Sequence, residues 1–242
     1  MTGISLKGRV TLVTGASRGI GYAVALELAK AGSHVITVAK TQGALEELDD
    51  AIRSGGGEST IVPMDLKQYD GIDQLGAAIY ERWGRLDGLF ANAGLLGEMA
   101  PVPHIDPKKF EETIAVNVTA NYRLIRSLNA LLQASPCGRA VFMSSKAAVS
   151  RKAFWGVYAA SKSALDAMVM CYAAENKKMK LRINLVTPGP VYTQMRAKAM
   201  PGENPDTLPK PADIAKLIAP LLGPDYTKHG QIIDFRDKLK TA

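Results

Sequence analysis

Short apolar runs and longer amphipathic stretches alternate along the chain. The apolar runs, rich in β-branched residues, predict strands over residues 10–13, 34–39, 60–64, 86–91, 140–145, 181–186 and 231–235. Helical spacing of apolar positions predicts helices between them, most clearly over residues 44–52, 71–83, 108–132 and 212–222. Because strands that alternate with helices pair in parallel, we predict an α/β fold. Its doubly wound parallel sheet has about seven strands, with helices on both faces.

The chain as a whole narrows the class of protein. It has 242 residues with no internal repeat and no linker-like segment, so we expect a single domain over residues 1–242. It lacks any run of about 18 apolar residues, and its N-terminus has no basic segment followed by an apolar core. These observations predict a cytoplasmic protein with no membrane partner.

Charge and cysteine content exclude two further classes. The formal net charge is +7, but the basic residues are spread along the chain, apart from a group within residues 177–182 that fits a solvated helix end. We therefore expect no nucleic-acid partner. Cys137, Cys171 and the three histidines show neither the spacing of a zinc site nor that of a disulfide framework, so no metal is expected.

A glycine-rich turn follows the first predicted strand. The sequence Thr14-Gly15-Ala16-Ser17-Arg18-Gly19-Ile20-Gly21 leads directly into a helical pattern that runs through Ala31. Glycines allow a tight turn and close approach to a pyrophosphate, which the free N–H groups and dipole of the helix N-terminus attract. The spacing is a variant of the dinucleotide-binding fingerprint. The surrounding strand and helix favour phosphate binding over a purely structural turn.

The end of the second predicted strand bears on the choice of nucleotide. In dinucleotide folds an acid at this point accepts the ribose 2′-OH, whereas a base favours a 2′-phosphate. This chain has Lys40 there and Arg18 in the neighbouring turn, so we expect NADP(H) rather than NAD(H). The alternative is that Lys40 points to solvent. Asp65, after the third strand, is a candidate contact for the adenine amine and also a candidate N-cap of a turn.

Polar residues also follow the fourth strand. Asn92, Ala93 and Gly94 end that strand, where they predict either close contact with a ligand or a structural clamp. Asn117 lies in a mostly apolar helical run, and a buried Asn must find hydrogen-bond partners. Residues 194–210 are rich in Pro and Met and weakly patterned, which predicts a substrate lid.

The clearest candidate chemistry lies in Tyr158-Ala-Ala-Ser-Lys162. A phenol and an ammonium four residues apart share one helix face, and the cation can lower the pKa of the phenol towards neutrality. Alone, this spacing also fits an ordinary helix aromatic and a solvated lysine. Ser145 supports the catalytic interpretation, because a hydroxyl at the carboxyl end of a strand can converge with Tyr158 on one carbonyl group.

Together these motifs resemble the short-chain dehydrogenase/reductase family over essentially the whole chain, which implies a Rossmann-type fold. The cofactor turn at residues 14–21, the strand-four motif at Asn92, and Ser145, Tyr158 and Lys162 match in order and spacing. The stretches at residues 92–97, 155–162 and 195–201 are more narrowly similar to the YciK-like bacterial oxidoreductases.

The resemblance implies hydride transfer between nicotinamide and a carbonyl or alcohol carbon, with Tyr158 as general acid for reduction and general base for oxidation. Ser145 would hydrogen-bond the substrate oxygen. Lys162 would lower the pKa of Tyr158 and bind the nicotinamide ribose, while Asn117 would hold a water in a proton relay. The residues implied at the cofactor are Gly15, Ser17, Arg18, Gly19, Ile20, Gly21, Lys40, Asp65, Leu66, Asn92, Ala93, Gly94, Tyr158, Lys162, Pro188, Gly189, Val191 and Thr193.

The resemblance also sets expectations for partners. The substrate would be a small-molecule carbonyl or alcohol compound, in an apolar pocket whose candidate walls are Leu95, Leu96, Trp155, Tyr192 and Met195. A homodimer or homotetramer would form through the helices at residues 108–132 and 158–176. A non-catalytic NADP(H)-binding sensor on the same fold is the alternative, and the intact Ser145, Tyr158 and Lys162 argue against it.

Overall fold

Seven parallel strands form one sheet at the centre of the molecule. The computed structural model describes residues 4–236. The strands are β1 (Val10–Thr14), β2 (His34–Ala39), β3 (Glu58–Pro63), β4 (Gly88–Ala91), β5 (Arg139–Met143), β6 (Arg182–Thr187) and β7 (Ile232–Asp234). They lie in the order β3-β2-β1-β4-β5-β6-β7. The doubly wound α/β fold predicted from the sequence is confirmed.

Helices connect the strands and cover both faces of the sheet. The α-helices are α1 (Gly19–Lys30), α2 (Gln42–Ser54), α3 (Tyr69–Trp83), α4 (Pro107–Ile114), α5 (Ala120–Ala134), α6 (Ala147–Ser150), α7 (Gly156–Glu175), α8 (Gln194–Ala199) and α9 (Pro211–Ile218). Short 3-10 turns lie at Val102–His104, Pro205–Thr207 and Ala219–Leu222. Within residues 4–236 there is no helix that is both long and apolar enough to cross a membrane.

Alternation along the strands divides the core into two halves. Leu12 belongs to the half beneath α3, α5 and α7, whereas its neighbour Val13 belongs to the half beneath α1, α2 and α9. Successive residues of a strand point to opposite faces, so a strand covered on both sides is apolar throughout. This is why β1, β4 and β5 are buried along their whole length.

The order of the strands also locates the site. The chain winds from β1 outward to β3, then returns to add β4 on the other side of β1. In such sheets the crevice at the carboxyl ends of the two strands flanking the reversal accepts the ligand. The turns after β1 and β4 are therefore expected to flank a bound nucleotide.

Several predicted elements differ from the structure, and the fifth strand, for example, ends at Met143 rather than at Ser145. The third strand begins at Glu58 rather than residue 60, because its exposed edge position tolerates polar residues. The helix predicted over residues 108–132 is not uniform, since a π-helical turn at Ala115–Thr119 separates α4 from α5. The segment 194–210, expected to be weakly structured, contains α8 and the turn Pro205–Thr207, held by a bidentate Arg196–Glu203 ion pair with N–O distances of 2.6 Å.

Candidate active site

The turn after β4 is fastened to the turn after β1. The Thr14 hydroxyl accepts hydrogen bonds from the backbone amides of Asn92 at 3.0 Å and Ala93 at 3.1 Å. The Asn92 side-chain amide donates to the carbonyl oxygen of Thr14 at 3.0 Å. Asn92 thus acts as a structural clamp, one of the two roles predicted for it, and it keeps the glycine turn at the reversal point of the sheet.

Two glycines of that turn are required by its geometry. Gly15 has a φ of +66°, and a Cβ on Gly21 would lie 2.3 Å from the carbonyl oxygen of Gly15. Arg18, the N-cap of α1, is in an extended conformation, and its side chain does not cap the helix. The amides at the start of α1 therefore remain available to an anion, as expected for a phosphate-binding turn.

Lys40 and Asp65 lie together at the carboxyl ends of β2 and β3. Lys40 Nζ is 3.4 Å from Asp65 Oδ2, and Asp65 Oδ1 accepts a hydrogen bond from the Lys67 amide at 3.0 Å. Burial alone would raise the pKa of Asp65, but the bonds from Lys67 and Lys40 outweigh it, and the pKa is lowered. Asp65 therefore stabilises a turn as predicted, and its neighbour Leu66 is buried in the core.

The segment after β6 faces the glycine turn. Arg18 Nη1 donates to Gln194 Oε1 at 2.8 Å, and a Cβ on Gly19 would be 3.5 Å from the methyl group of Thr193. Thr193 also caps α8, since its hydroxyl accepts from the Arg196 amide at 3.2 Å. The predicted residues of this segment, Pro188, Gly189, Val191 and Thr193, and those of the turn, Gly15, Ser17, Arg18, Gly19, Ile20 and Gly21, are thus brought to the same edge of the sheet.

Tyr158 occupies the first turn of α7 and is 8% exposed. Burial raises the pKa of its phenol, although an interaction with the Ser145 hydroxyl partly opposes this. Ser145 lies two residues beyond β5, so it reaches Tyr158 from the sheet side. The structure therefore brings Ser145 and Tyr158 together, but the net direction is opposite to the lowered pKa expected from the sequence.

Lys162 is the most deeply buried charged group at the site. It is 2% exposed, its ammonium donates to the carbonyl oxygen of Met143 at 2.7 Å, and Nζ lies 5.9 Å from the centre of the Tyr158 ring. Burial lowers the pKa of Lys162 to about 8. The ammonium is thus held at the end of β5, beside the phenol, and is not the solvated lysine that the spacing alone allowed.

Asn117 lies in the π-helical turn and is fully buried. Its side-chain oxygen accepts from the Leu95 amide at 2.7 Å, and its side-chain nitrogen donates to the Leu95 carbonyl at 2.8 Å and to Ser161 Oγ at 2.9 Å. A Cβ on Gly94 would lie 3.3 Å from Asn117 Oδ1 and 3.6 Å from Lys162 Nζ. The predicted requirement for partners is confirmed, and Asn117 joins the strand-four turn to α7.

Two polar residues that hold Asn117 in place were not predicted from the sequence. Asn121 Nδ2 donates to the Asn117 carbonyl oxygen at 2.9 Å, and Ser161 links Asn117 to the Tyr158 carbonyl through a bond of 2.8 Å. Both are buried. The signal was available, because Asn121 lies four residues after Asn117 on the same helical face.

The surroundings of Tyr158 on the substrate side are apolar. Tyr158 packs in a cluster with Leu96, Ala147 and Ala199 of α8, and the ring of Trp155 lies 6.0 Å from its own ring. Of the five predicted pocket residues, Leu96 belongs to this cluster and Trp155 packs against it.

 Leu95 is half-buried, whereas Tyr192 and Met195 are 53% and 37% exposed, and none of the three belongs to this cluster.

The comparisons with known proteins show the family to which the chain belongs. The family model described as short chain dehydrogenase matches residues 9–204. The oxidoreductase YciK of Escherichia coli K12 is 37% identical over 223 residues, which cover 91% of this chain and 88% of YciK. This chain belongs to the short chain dehydrogenase family.

Solved structures give the same result. A short chain dehydrogenase from Salmonella enterica serovar Typhi CT18 has a TM-score of 0.94 and 36% identity, and the match covers 98% of this chain and 99% of that one. A short chain dehydrogenase from Escherichia coli CFT073, complexed with NADPH, has a TM-score of 0.91 and 36% identity, with 98% and 100% covered. The similarity therefore extends over the whole described fold.

Proposed function

We propose that this protein is an NADP(H)-dependent oxidoreductase that transfers a hydride between nicotinamide and a carbonyl or alcohol substrate. The observation that carries the proposal is the convergence of Ser145, Tyr158 and Lys162 at the carboxyl end of β5. A proton donor, a second hydroxyl and a buried cation meet there beside an apolar cluster. This is the set of groups that carbonyl reduction requires.

The residues at the reversal of the sheet fit a dinucleotide. The glycine turn presents the free amides of α1, and the tight approach of Gly21 to Gly15 leaves the backbone bare where a pyrophosphate would lie. Gly94 brings a surface without a side chain next to Asn117 and Lys162. Residues 188–193 and Lys162 would hold the nicotinamide end, and Arg18, Lys40 and Asp65 the adenosine end.

Two basic side chains favour the phosphorylated form of the cofactor. Arg18 and Lys40 are both exposed at the adenosine end, where a 2′-phosphate would gain charge-assisted hydrogen bonds. The solved structure of the related enzyme from Escherichia coli CFT073 is a complex with NADPH. Both points support NADP(H) over NAD(H) for this chain.

The reaction divides between cofactor and protein. When bound, the reduced nicotinamide supplies a hydride to the carbonyl carbon. Tyr158 donates its phenolic proton to the carbonyl oxygen, and Ser145 donates a hydrogen bond to that same oxygen, so the product is an alcohol. Lys162 stabilises the phenolate that Tyr158 becomes, and Asn117 fixes the strand-four turn that faces it. In the oxidation direction Tyr158 accepts the proton.

The apolar surroundings indicate the kind of substrate that the site takes. Leu96, Trp155 and Ala199 offer only carbon surface around Tyr158, apart from the indole N–H. Because α8 supplies Ala199, we propose that residues 194–210 act as a lid that completes the pocket. A small to mid-sized carbonyl compound with apolar substituents fits these walls.

Self-association is a further part of the proposal. An open apolar groove of about 360 Å³ lies between α4 and α7, lined by residues that include Val102, Phe110 and Val157. Val102 is 71% exposed and Phe110 42% exposed, so this face presents apolar side chains next to the groove. A homodimer or homotetramer that covers this face would bury them.

The test is a fluorescence titration with NADPH and NADH in parallel, followed by turnover of NADPH with a panel of aldehydes and ketones. We expect tighter binding of NADPH and measurable oxidation of it with at least one apolar carbonyl compound. Binding without turnover over a broad panel would favour the alternative, a sensor on the same fold. Binding of neither nucleotide would contradict both functions.

A further inference from the structure

A third polar residue continues the row formed by Tyr158 and Lys162. Asp166 lies four residues after Lys162 on α7, so the three side chains share one face of the helix. Helical side chains lean towards the N-terminus, which turns the Asp166 carboxylate towards the turn that carries Lys162. Neither the cofactor turn nor the apolar cluster around Tyr158 includes Asp166.

The carboxylate is partly buried and lies near Ser144, which directly follows the end of β5. Asp166 Oδ1 is inaccessible to solvent, and so is Ser144 Oγ; neither makes a hydrogen bond of good geometry within residues 4–236. The two groups are nonetheless near neighbours, since the Ser144 hydroxyl acts to lower the pKa of Asp166 against the larger effect of burial. Ser144 itself lies between Met143, whose carbonyl holds the Lys162 ammonium, and Ser145.

The charge of Asp166 acts on both members of the proton-transfer pair. It raises the pKa of Lys162 against the larger effect of burial, and it adds to the burial that raises the pKa of Tyr158. Burial raises the pKa of Asp166 itself, and Ser144 and Lys162 oppose this. Where α7 packs against α6, the contact is an uncharged hydrogen bond from Ser163 Oγ to the Ala148 carbonyl oxygen. The nearby charge of Lys146 acts on Asp234.

We propose that Asp166 is a positioning residue for the proton-transfer pair, whose carboxylate, beside the Ser144 hydroxyl, keeps the Lys162 ammonium charged beside Tyr158. Among residues 4–236 the buried Lys162 ammonium has a hydrogen bond only to a carbonyl oxygen, which leaves its charge costly, and a carboxylate one helical turn away reduces that cost. This inference rests on the proposed function only in so far as Tyr158 is the proton donor. The pairing of charges along α7 can be measured without any substrate.

The direct experiment is a titration of tyrosinate ultraviolet absorbance. The contribution of Tyr158 is isolated by subtracting the titration of the same protein with Tyr158→Phe. At the alkaline pH where tyrosine ionises, the carboxylate is charged and Lys162 is mostly neutral, so Asp166→Asn removes a negative charge that disfavours the phenolate. We expect the midpoint of Tyr158 to fall by roughly half a unit to one unit.

Three variants control this result. Asp50→Asn removes the same charge from an exposed site in α2 and should leave the midpoint unchanged. Asp166→Glu keeps the charge and should restore a midpoint close to that of the wild type, which a merely structural role would not explain. Asp166→Ser is a second neutral variant for use if Asp166→Asn does not fold. A midpoint for both neutral variants that equals that of Asp50→Asn would overturn the proposal.

A double-mutant cycle gives a second readout. The melting temperature is measured for Asp166→Asn, Lys162→Met and the double variant. If the two charges act on each other, the double variant loses less than the sum of the two single losses. Additive losses would contradict the proposal. Because neither measurement needs turnover, an inactive wild type would count against the proposed function and not against the role of Asp166.

Discussion

The ammonium of Lys162 donates a hydrogen bond of 2.7 Å to the carbonyl oxygen of Met143, the last residue of β5. This bond ties the helix that carries Tyr158 to the strand that ends just before Ser145. It also fixes the place of a cation that has almost no contact with water. The geometry of the site and the stability of the fold are therefore coupled through one side chain.

The stability of the protein should depend on pH through Lys162. Its pKa falls from 10.5 to about 8 on folding, so between these values the unfolded state binds more protons than the folded state. This contribution therefore makes the protein more stable as the pH rises through that window, by up to roughly 3 kcal/mol. The Lys162→Met variant lacks this contribution of Lys162 to stability. The tyrosines that titrate in the same pH range are present in both proteins.

Urea unfolding of wild type and Lys162→Met at pH 7 and pH 10 measures this effect. The free energy of unfolding of the wild type, minus that of the variant, should rise at the higher pH. A difference that does not change with pH would show that the pKa of Lys162 is not lowered by folding.

Gly21 cannot accept a side chain. A Cβ there would lie 2.3 Å from the Gly15 carbonyl oxygen, so Gly21→Ala must displace the turn from α1. We expect a loss of about 1–3 kcal/mol in the free energy of unfolding and at least a tenfold loss of NADPH affinity. Gly43→Ala, in the first turn of α2 with no atom within 4 Å of the added Cβ, is the matched control and should be neutral or slightly stabilising. Equal NADPH affinity for both variants would contradict this account of the turn.

Removing the side chain of Asn117 should cost more than removing one of its partners. Asn117→Ala leaves the part-buried amide and carbonyl of Leu95 unpaired, which predicts a loss of roughly 2–4 kcal/mol in the free energy of unfolding. Ser161→Ala removes a single partner of Asn117 and should cost about 1 kcal/mol. Chemical denaturation of the two variants checks the order, and an equal loss for both would mean that the Leu95 bonds contribute little.

Lys40 should set the preference between nucleotides. Lys40→Asp places a carboxylate beside Asp65 where the 2′-phosphate would lie, so NADPH binding should weaken by tenfold or more while NADH binding changes less. Lys30→Asp makes the same change of charge in the last turn of α1, at the end of that helix away from the glycine turn, and serves as the control. Parallel fluorescence titrations measure both affinities. An equal loss of affinity for the two nucleotides would mean that Lys40 does not interact with the 2′-phosphate.

The sequence predicted the sheet well because its strands are unambiguous. Strands buried on both faces, such as β1 and β5, appear as continuous apolar runs, and the alternation with helices implies parallel pairing. The edge strand β3 was less well placed, since exposed polar residues such as Glu58 and Ser59 begin it. The first residue of β3 is determined by its pairing with β2, and the local pattern of apolar and polar residues does not reveal this pairing.

The site was predictable where local spacing determines it. Tyr158 and Lys162 share a helix face by their spacing alone, but that Lys162 is buried and bonded to Met143 follows from packing against β5. The π-helical turn around Asn117 likewise depends on side-chain bonds to Leu95, which lies on another segment. The prediction that the pKa of Tyr158 is lowered was wrong, because burial in the folded protein raises this pKa by more than the Ser145 hydroxyl lowers it.

The most direct test of the proposed reaction follows the hydride and the proton donor together. NADPH carrying deuterium at the transferable position is mixed with the best carbonyl compound of the panel, and the alcohol is analysed by mass spectrometry for wild type and Tyr158→Phe. We predict one deuterium on the carbinol carbon for each NADPH oxidised by the wild type. With Tyr158→Phe we expect a rate at least about 100-fold lower at an unchanged affinity for NADPH. A Tyr158→Phe variant that reduces the same compound as fast as the wild type would contradict the assignment.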